Sequence, residues 1–220
     1  MKSILLPALL AMAVVRAGEP PPPGAVVLFD GGNLDAWARK AGKDWLKEDG
    51  PAAWKMVEAG GQRVLEIVPG ADSLISHRKF GDARVHLEFR TLVSPTNSGV
   101  YLQTRYEVNI NASHGSDDGN PSGGLDNCSE TKPRARAGKP VGEWQTLDVD
   151  FEAPKFDPAG RKVAPAHATV RLNGVLLYDR QELNKPKGAA GRLGEAATGP
   201  LLLQEHGTPV QFRNIWVLER

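Results

Sequence analysis

The stretch ARVHLEFRTLVSPTNSGVYLQTRYEVNI, Ala83 to Ile110, decides the fold. Val85, Leu87 and Phe89 alternate with Arg84, His86, Glu88 and Arg90. A period of two over this length predicts a strand with one buried face. Ser94 to Gly99 reads as a turn. A second run follows, read as one strand bent in its middle. Val100, Leu102, Thr104, Tyr106, Val108 and Ile110 share one face, and Tyr101, Gln103, Arg105, Glu107 and Asn109 share the other.

Outward from this pair the same signals recur. Val26 to Asp30, Val64 to Val68, Leu74 to Ser76 and Glu143 to Ala153 read as strands. Asn173-Gly174, between two apolar runs, predicts a hairpin. The closing stretch GPLLLQEHGTPVQFRNIWVLE, Gly199 to Glu219, reads as two strands joined by a tight turn. Its second strand would alternate, with Val210, Phe212, Asn214 and Trp216 on one side and Gln211, Arg213, Ile215 and Val217 on the other. Polar Gln204, Glu205 and His206 sit at its mouth. Residues 112–142 and 181–198 lack apolar periodicity and read as long polar loops. Many strands without a βαβ rhythm predict an all-β antiparallel sandwich. Trp37, Trp54, Trp144 and Trp216 are expected in its core.

The chain has 220 residues, a formal net charge of +1 and 24% charged residues. Near-neutral charge argues against nucleic acid or an anionic membrane surface as partner. Lys2, the apolar run Ile4 to Val15 and Val15-Arg16-Ala17 form a cleavable leader over residues 1–17. The run is too short to span a bilayer. The expected location is therefore secreted or periplasmic, with no membrane contact after leader removal. Residues 18–25 read as a stiff Pro-rich linker, and 26–220 as one domain. Cys128 is the sole cysteine, so no intramolecular disulfide can form. Asn111-Ala112-Ser113 and Asn127-Cys128-Ser129 match the glycosylation sequon.

The row Tyr101, Gln103, Arg105, Glu107 and Asn109 contains no lysine and one acid. Solvent-facing strands usually carry Lys and Glu. Tyr, Gln, Arg and Asn instead suit a groove that reads sugar hydroxyls. No metal-ligand spacing, P-loop, dinucleotide fingerprint or nucleophile elbow occurs. Asp117-Asp118-Gly119-Asn120 reads as a solvated acidic loop, and no metal or other cofactor is expected. Double-displacement glycoside hydrolysis needs two adjacent carboxylates. Here Asn109 follows Glu107, so that chemistry is not supported.

The segments FDG (Phe29 to Gly31), LEFR (Leu87 to Arg90), NSGVYLQ (Asn97 to Gln103), YEV (Tyr106 to Val108), GEWQ (Gly142 to Gln145), LNGV (Leu172 to Val175), GPLLLQEHG (Gly199 to Gly207) and VQFRNIW (Val210 to Trp216) occur in order. By these the sequence resembles the 3-keto-disaccharide hydrolase family over Val26 to Arg220. The resemblance implies a concanavalin A-like jelly-roll β-sandwich of two antiparallel sheets. It also implies a hydrolase acting on a small sugar oxidised at C3. The ketone acidifies the C2 hydrogen, a base removes it, the C1 oxygen leaves by elimination, and water adds back. Such chemistry needs a base, an acid and stabilisation of the enolate oxygen.

On matching positions the resemblance implies His206 and Glu107 as base and acid, and Arg213 as enolate stabiliser. Glu88, Asn97, Tyr101, Gln103, Arg105, Asn109, Gln204 and Glu205 would hold hydroxyls or orient the reacting groups. Two alternatives stand beside this. His206 could be a turn histidine bonded to backbone, and Glu88 with Arg213 could form an ion pair between neighbouring strands. The chain departs from the family pattern after YEV: Asn109-Ile110-Asn111 lacks the usual aspartate, and Gly123 to Asn127 lacks a tyrosine. The rival reading is a carbohydrate-binding module on the same fold without catalysis.

Overall fold

The computed structural model describes residues 18–112, 121–126, 129, 131–184 and 190–220. The leader, the acidic loop 117–120, Cys128, and the sequon residues Ser113 and Asn127 lie outside the described residues.

In chain order the strands are β1 (Val26–Phe29), β2 (Trp37–Ala41), β3 (Asp44–Pro51), β4 (Lys55–Ala59), β5 (Gln62–Glu66) and β6 (Leu74–Phe80). There follow β7 (Ala83–Thr91), β8 (Asn97–Leu102), β9 (Tyr106–Asn111), β10 (Leu125–Asp126), β11 (Gln145–Glu152), β12 (Lys155–Phe156) and β13 (Lys162–Ala164). The last are β14 (Ala166–Leu172), β15 (Val175–Leu183), β16 (Gly199–Leu203) and β17 (Val210–Glu219), with one 3-10 turn at Ala190–Arg192.

An eight-stranded sheet runs β15-β14-β11-β7-β17-β5-β4, with β1 on β17. A seven-stranded sheet runs β10-β9-β8-β16-β6-β2-β3, and β12-β13 form a small ribbon. Every pairing is antiparallel. The inner faces share one core. Val85, Leu87 and Phe89 of β7 and Phe212, Ile215 and Val217 of β17 pack with Val100, Leu102, Val108, Ile110, Leu201 and Leu203 of the facing sheet. Burying each such side chain contributes roughly 1.5–3 kcal/mol. The expected jelly-roll sandwich is the observed one. The Asn173-Gly174 hairpin also holds, with φ of +52° and +79° as its turn requires.

Three expectations change. The run Val100 to Ile110 is a hairpin, not a bent strand. Gln103 and Thr104 turn it at φ of +54° and +59°, and β8 and β9 pair from Asn97↔Asn111 to Leu102↔Tyr106. The closing stretch is no hairpin, because β16 lies in the seven-stranded sheet and β17 in the eight-stranded one. Residues 204–209 therefore arch from one sheet to the other. Finally, β17 does not alternate evenly. Its register against β7 shifts between Arg213 and Trp216, and Asn214 takes φ of +48°. This bulge places Phe212, Ile215 and Val217 in the core and leaves Gln211, Arg213 and Trp216 on the outer face. The Pro-rich tract is docked rather than free: Gly18 N donates to Glu88, and the carbonyl of Glu19 accepts from Asn214.

Candidate functional site

Because core side chains alternate, the residues between them on β8, β9, β16, β6 and β2 share the outer face of the seven-stranded sheet. The register aligns Asp126, Glu107, Tyr101, Leu202, Ile75 and Ala38 in one row. Beside it run Asn109 and Gly99, then Gln204, Ser73 and Lys40, joined by Gln204 N to Gly99 O at 2.9 Å and Lys40 N to Ser73 O at 2.9 Å. Trp45 of β3 closes over this face. Its ring meets Tyr101 edge-on at 4.9 Å, and with Tyr101 and Leu202 it forms a small cluster apart from the main core.

Between this face, the β2–β3 turn and the 204–209 arch lies a cavity of about 480 Å³. Lys40, Trp45, Asp72, Ser73, Arg192, Gln204, Glu205 and His206 line it. Its size falls in the range of small-molecule sites. Gln204 Nε2 donates to Tyr101 Oη at 3.2 Å, and Tyr101 Oη donates to Glu107 Oε2 at 2.6 Å. Glu107 thus stands two hydrogen bonds behind the cavity wall, reached from Gln204 through Tyr101. Its burial pushes its carboxyl up to about 7; the Tyr101 bond opposes the rise and Asp126 adds to it. A carboxyl poised there exchanges protons at neutral pH. Gly99 makes room for it, since a Cβ at that position would stand 2.6 Å from Glu107 Oε1.

Lys40 brings a cation to the cavity. Its Nζ is 3.8 Å from Asp72, 5.7 Å from the Trp45 ring centre, and bonded to the carbonyl of Gly42. Glu205 is fixed by its own backbone, through N to Ser73 Oγ at 3.0 Å. His206 is exposed on the arch. Among the described residues no three His, Cys, Asp or Glu side chains gather as a metal site requires.

The structure thus brings together His206, Glu107, Tyr101, Gln204 and Glu205. Asn97 is close to them in the chain fold: its backbone N–H and carbonyl both bond the Thr208 hydroxyl, which pins the arch to β8. Asn109 is buried on the same face, and its amide and backbone hold residues 121–124. Four expected residues lie elsewhere. Gln103 and Arg105 sit at the turn of the β8–β9 hairpin. There Gln103 donates to the carbonyls of Phe80 and Ala197, and Arg105 to those of Gly194 and Gln103, so they clamp a loop.

Arg213 and Glu88 form the interstrand ion pair, at 2.6 Å. They lie on the outer face of the eight-stranded sheet, with the whole core between them and Glu107. Arg213 cannot stabilise an enolate formed beside His206. Trp216 is buried on that outer face too, stacked on His86 at 4.7 Å, and Trp144 lies under the Arg213 guanidinium at 4.1 Å. The residues the sequence reading missed are Lys40, Trp45 and Arg192. Lys40 and Trp45 flank Gly42, a turn signal, but β3 is exposed almost throughout and shows no alternation to mark it.

A model of a domain family described as 3-keto-alpha-glucoside-1,2-lyase-like matches residues 24–218. A crystal structure from Parabacteroides distasonis ATCC 8503, bearing a provisional glycosyl hydrolase name, superposes with a TM-score of 0.72 at 27% identity, covering 100% of both chains. A second structure from that organism, similarly named, reaches 0.60 at 18% identity over 90% of this chain and 94% of its own, a likeness of fold. No protein in a comparison with curated proteins matches.

Proposed function

The chain belongs to the 3-keto-alpha-glucoside-1,2-lyase-like domain family, and from that membership we propose that it cleaves the glycosidic bond of 3-keto-glycosides, disaccharides among them. A carbohydrate-active function follows from the family and from the full-length likeness at 27% identity. The reaction is the finer reading. One observation carries it: His206, Gln204, Lys40 and Trp45 line a single cavity whose wall is backed by the Tyr101–Glu107 pair.

In this reading Trp45 packs on the sugar face and Gln204 binds a hydroxyl. His206 is the base that takes the C2 proton, the imidazole being the side chain most often used for that work. The electron pair moves to the C3 oxygen, where the Lys40 ammonium compensates the enolate charge. The C1–O bond then breaks. Tyr101 gives its proton to the leaving oxygen and recovers one from Glu107. Water adds across the C1–C2 double bond: its hydroxyl joins C1, its proton passes through Tyr101 back to Glu107, and C2 regains a proton from His206. The net change is hydrolysis, achieved without paired carboxylates.

Export belongs to the same proposal. The leader over residues 1–17 would deliver the chain to the periplasm or beyond the cell. The test is product analysis after incubation with a 3-keto-disaccharide. Release of both monosaccharides supports the enzyme. Saturable binding with no product supports the binding-module reading instead.

A further inference from the structure

The outer face of the eight-stranded sheet holds a charge cluster that the sugar site does not use. Glu88 is 3% exposed and Arg213 7%. Arg213 directs both Nε, at 2.7 Å, and Nη2, at 2.6 Å, at Oε2 of Glu88. The other oxygen, Oε1, receives the backbone N of Gly18 at 2.7 Å and Nδ2 of Asn214 at 3.1 Å. Nearby, Asp148 pairs with Arg84 at 3.1 Å and His86 Nδ1 at 2.9 Å, and Glu19 pairs with Arg84 at 2.9 Å. His86 Nε2 lies 3.2 Å from Nδ2 of Asn214.

The charged donors of Arg213 thus meet Oε2, while Oε1 of Glu88 meets only neutral donors. A buried carboxylate oxygen favours a cation there. Position 18 is also shaped for glycine: a Cβ would stand 2.6 Å from Oε1. Gly18 directly follows Val15-Arg16-Ala17, the small-residue end of the leader.

We propose that the chain is cleaved between Ala17 and Gly18, and that the new α-ammonium of Gly18 docks on Glu88, making Glu88, Arg213 and Asn214 a socket for the processed N-terminus. In the cleavage step water adds across the Ala17–Gly18 peptide bond under an export-pathway peptidase. Ala17 leaves as a carboxylate and Gly18 as an amine, which takes up a proton at neutral pH. The neutral N–H on Oε1 becomes a charge-assisted donor. The docked end holds the Pro-rich tract against the sheet, where β1 continues the pairing. None of this depends on the sugar reading.

Two measurements decide it. The chain expressed with its own leader in an exporting bacterial host is analysed by N-terminal sequencing and intact mass. The expected protein begins at Gly18; retention of the leader, or any other start, overturns the proposal. Separately, the chain beginning at Gly18 is melted with its α-amine free and with it acetylated. Acetylation should lower the melting temperature by about 5 °C, and Glu88→Gln should erase the difference. Equal melting temperatures for the two wild-type forms overturn the socket. That comparison stands alone if Glu88→Gln fails to fold.

Discussion

Glu107 shows how one side chain ties stability to chemistry. In the unfolded chain its carboxyl titrates at about 4.3; burial, with the charge of Asp126 and against the Tyr101 bond, raises this to about 7. The folded state therefore binds the proton more tightly than the unfolded state. Below about pH 4 the carboxyl is protonated in both states and has no effect on this balance. As pH rises through the window, the unfolded chain ionises first and native stability falls, by an amount of order 3 kcal/mol once both states are ionised. Glu107→Gln should flatten this dependence and stabilise the protein at pH 8, while lowering turnover. Urea unfolding of both proteins at pH 5 and pH 8 measures it. A wild type that gains stability against the variant as pH rises would contradict the assignment.

At the scale of strands, alternation is what the sequence makes legible. It placed Val85, Leu87 and Phe89 inward, and Tyr101 and Glu107 outward, as the core confirms. It could not say which of two sheets a strand joins. Period two is a local property, whereas sheet membership depends on pairings far apart in the chain, such as Arg213↔Glu88 and Leu202↔Tyr101. That is why Gln204 and Arg213, nine residues apart, are expected at one site yet lie on opposite faces. The Asn214 bulge was hidden for a related reason, because Asn at that position fits a regular strand and a positive φ alike. The β8–β9 hairpin carries a prediction of its own. Gly99→Ala adds a Cβ 2.6 Å from Glu107 Oε1, so the carboxylate must shift and its bond to Tyr101 is disturbed. Turnover should fall at least tenfold with the fold retained, read as kcat beside the circular dichroism spectrum. Unchanged kcat would show that the Tyr101–Glu107 contact has no part in the reaction.

The whole molecule divides its work between two outer faces. The seven-stranded sheet presents a cavity lined by a histidine, a lysine and an aromatic ring, with a carboxyl poised near neutrality behind its wall. The eight-stranded sheet presents satisfied ion pairs covered by the N-terminal tract. Arg213→Ala should thus cost about 3–5 kcal/mol by stranding the buried Glu88, seen as a lower melting temperature. Its kcat, assayed well below that temperature, should equal the wild-type value. A large loss of kcat in the folded variant would return Arg213 to the reaction. The central claim is that His206 and its cavity perform elimination from a 3-keto-glycoside. The most direct measurement is the turnover of a 3-keto-disaccharide by wild type and His206→Ala, with the products identified and C2 hydrogen exchange followed in deuterated water. The account predicts monosaccharide release and C2 exchange by the wild type, and a loss of roughly 10²–10⁴-fold in both for the variant. Cleavage by the variant at the wild-type rate, or by the wild type with no C2 exchange, would contradict it.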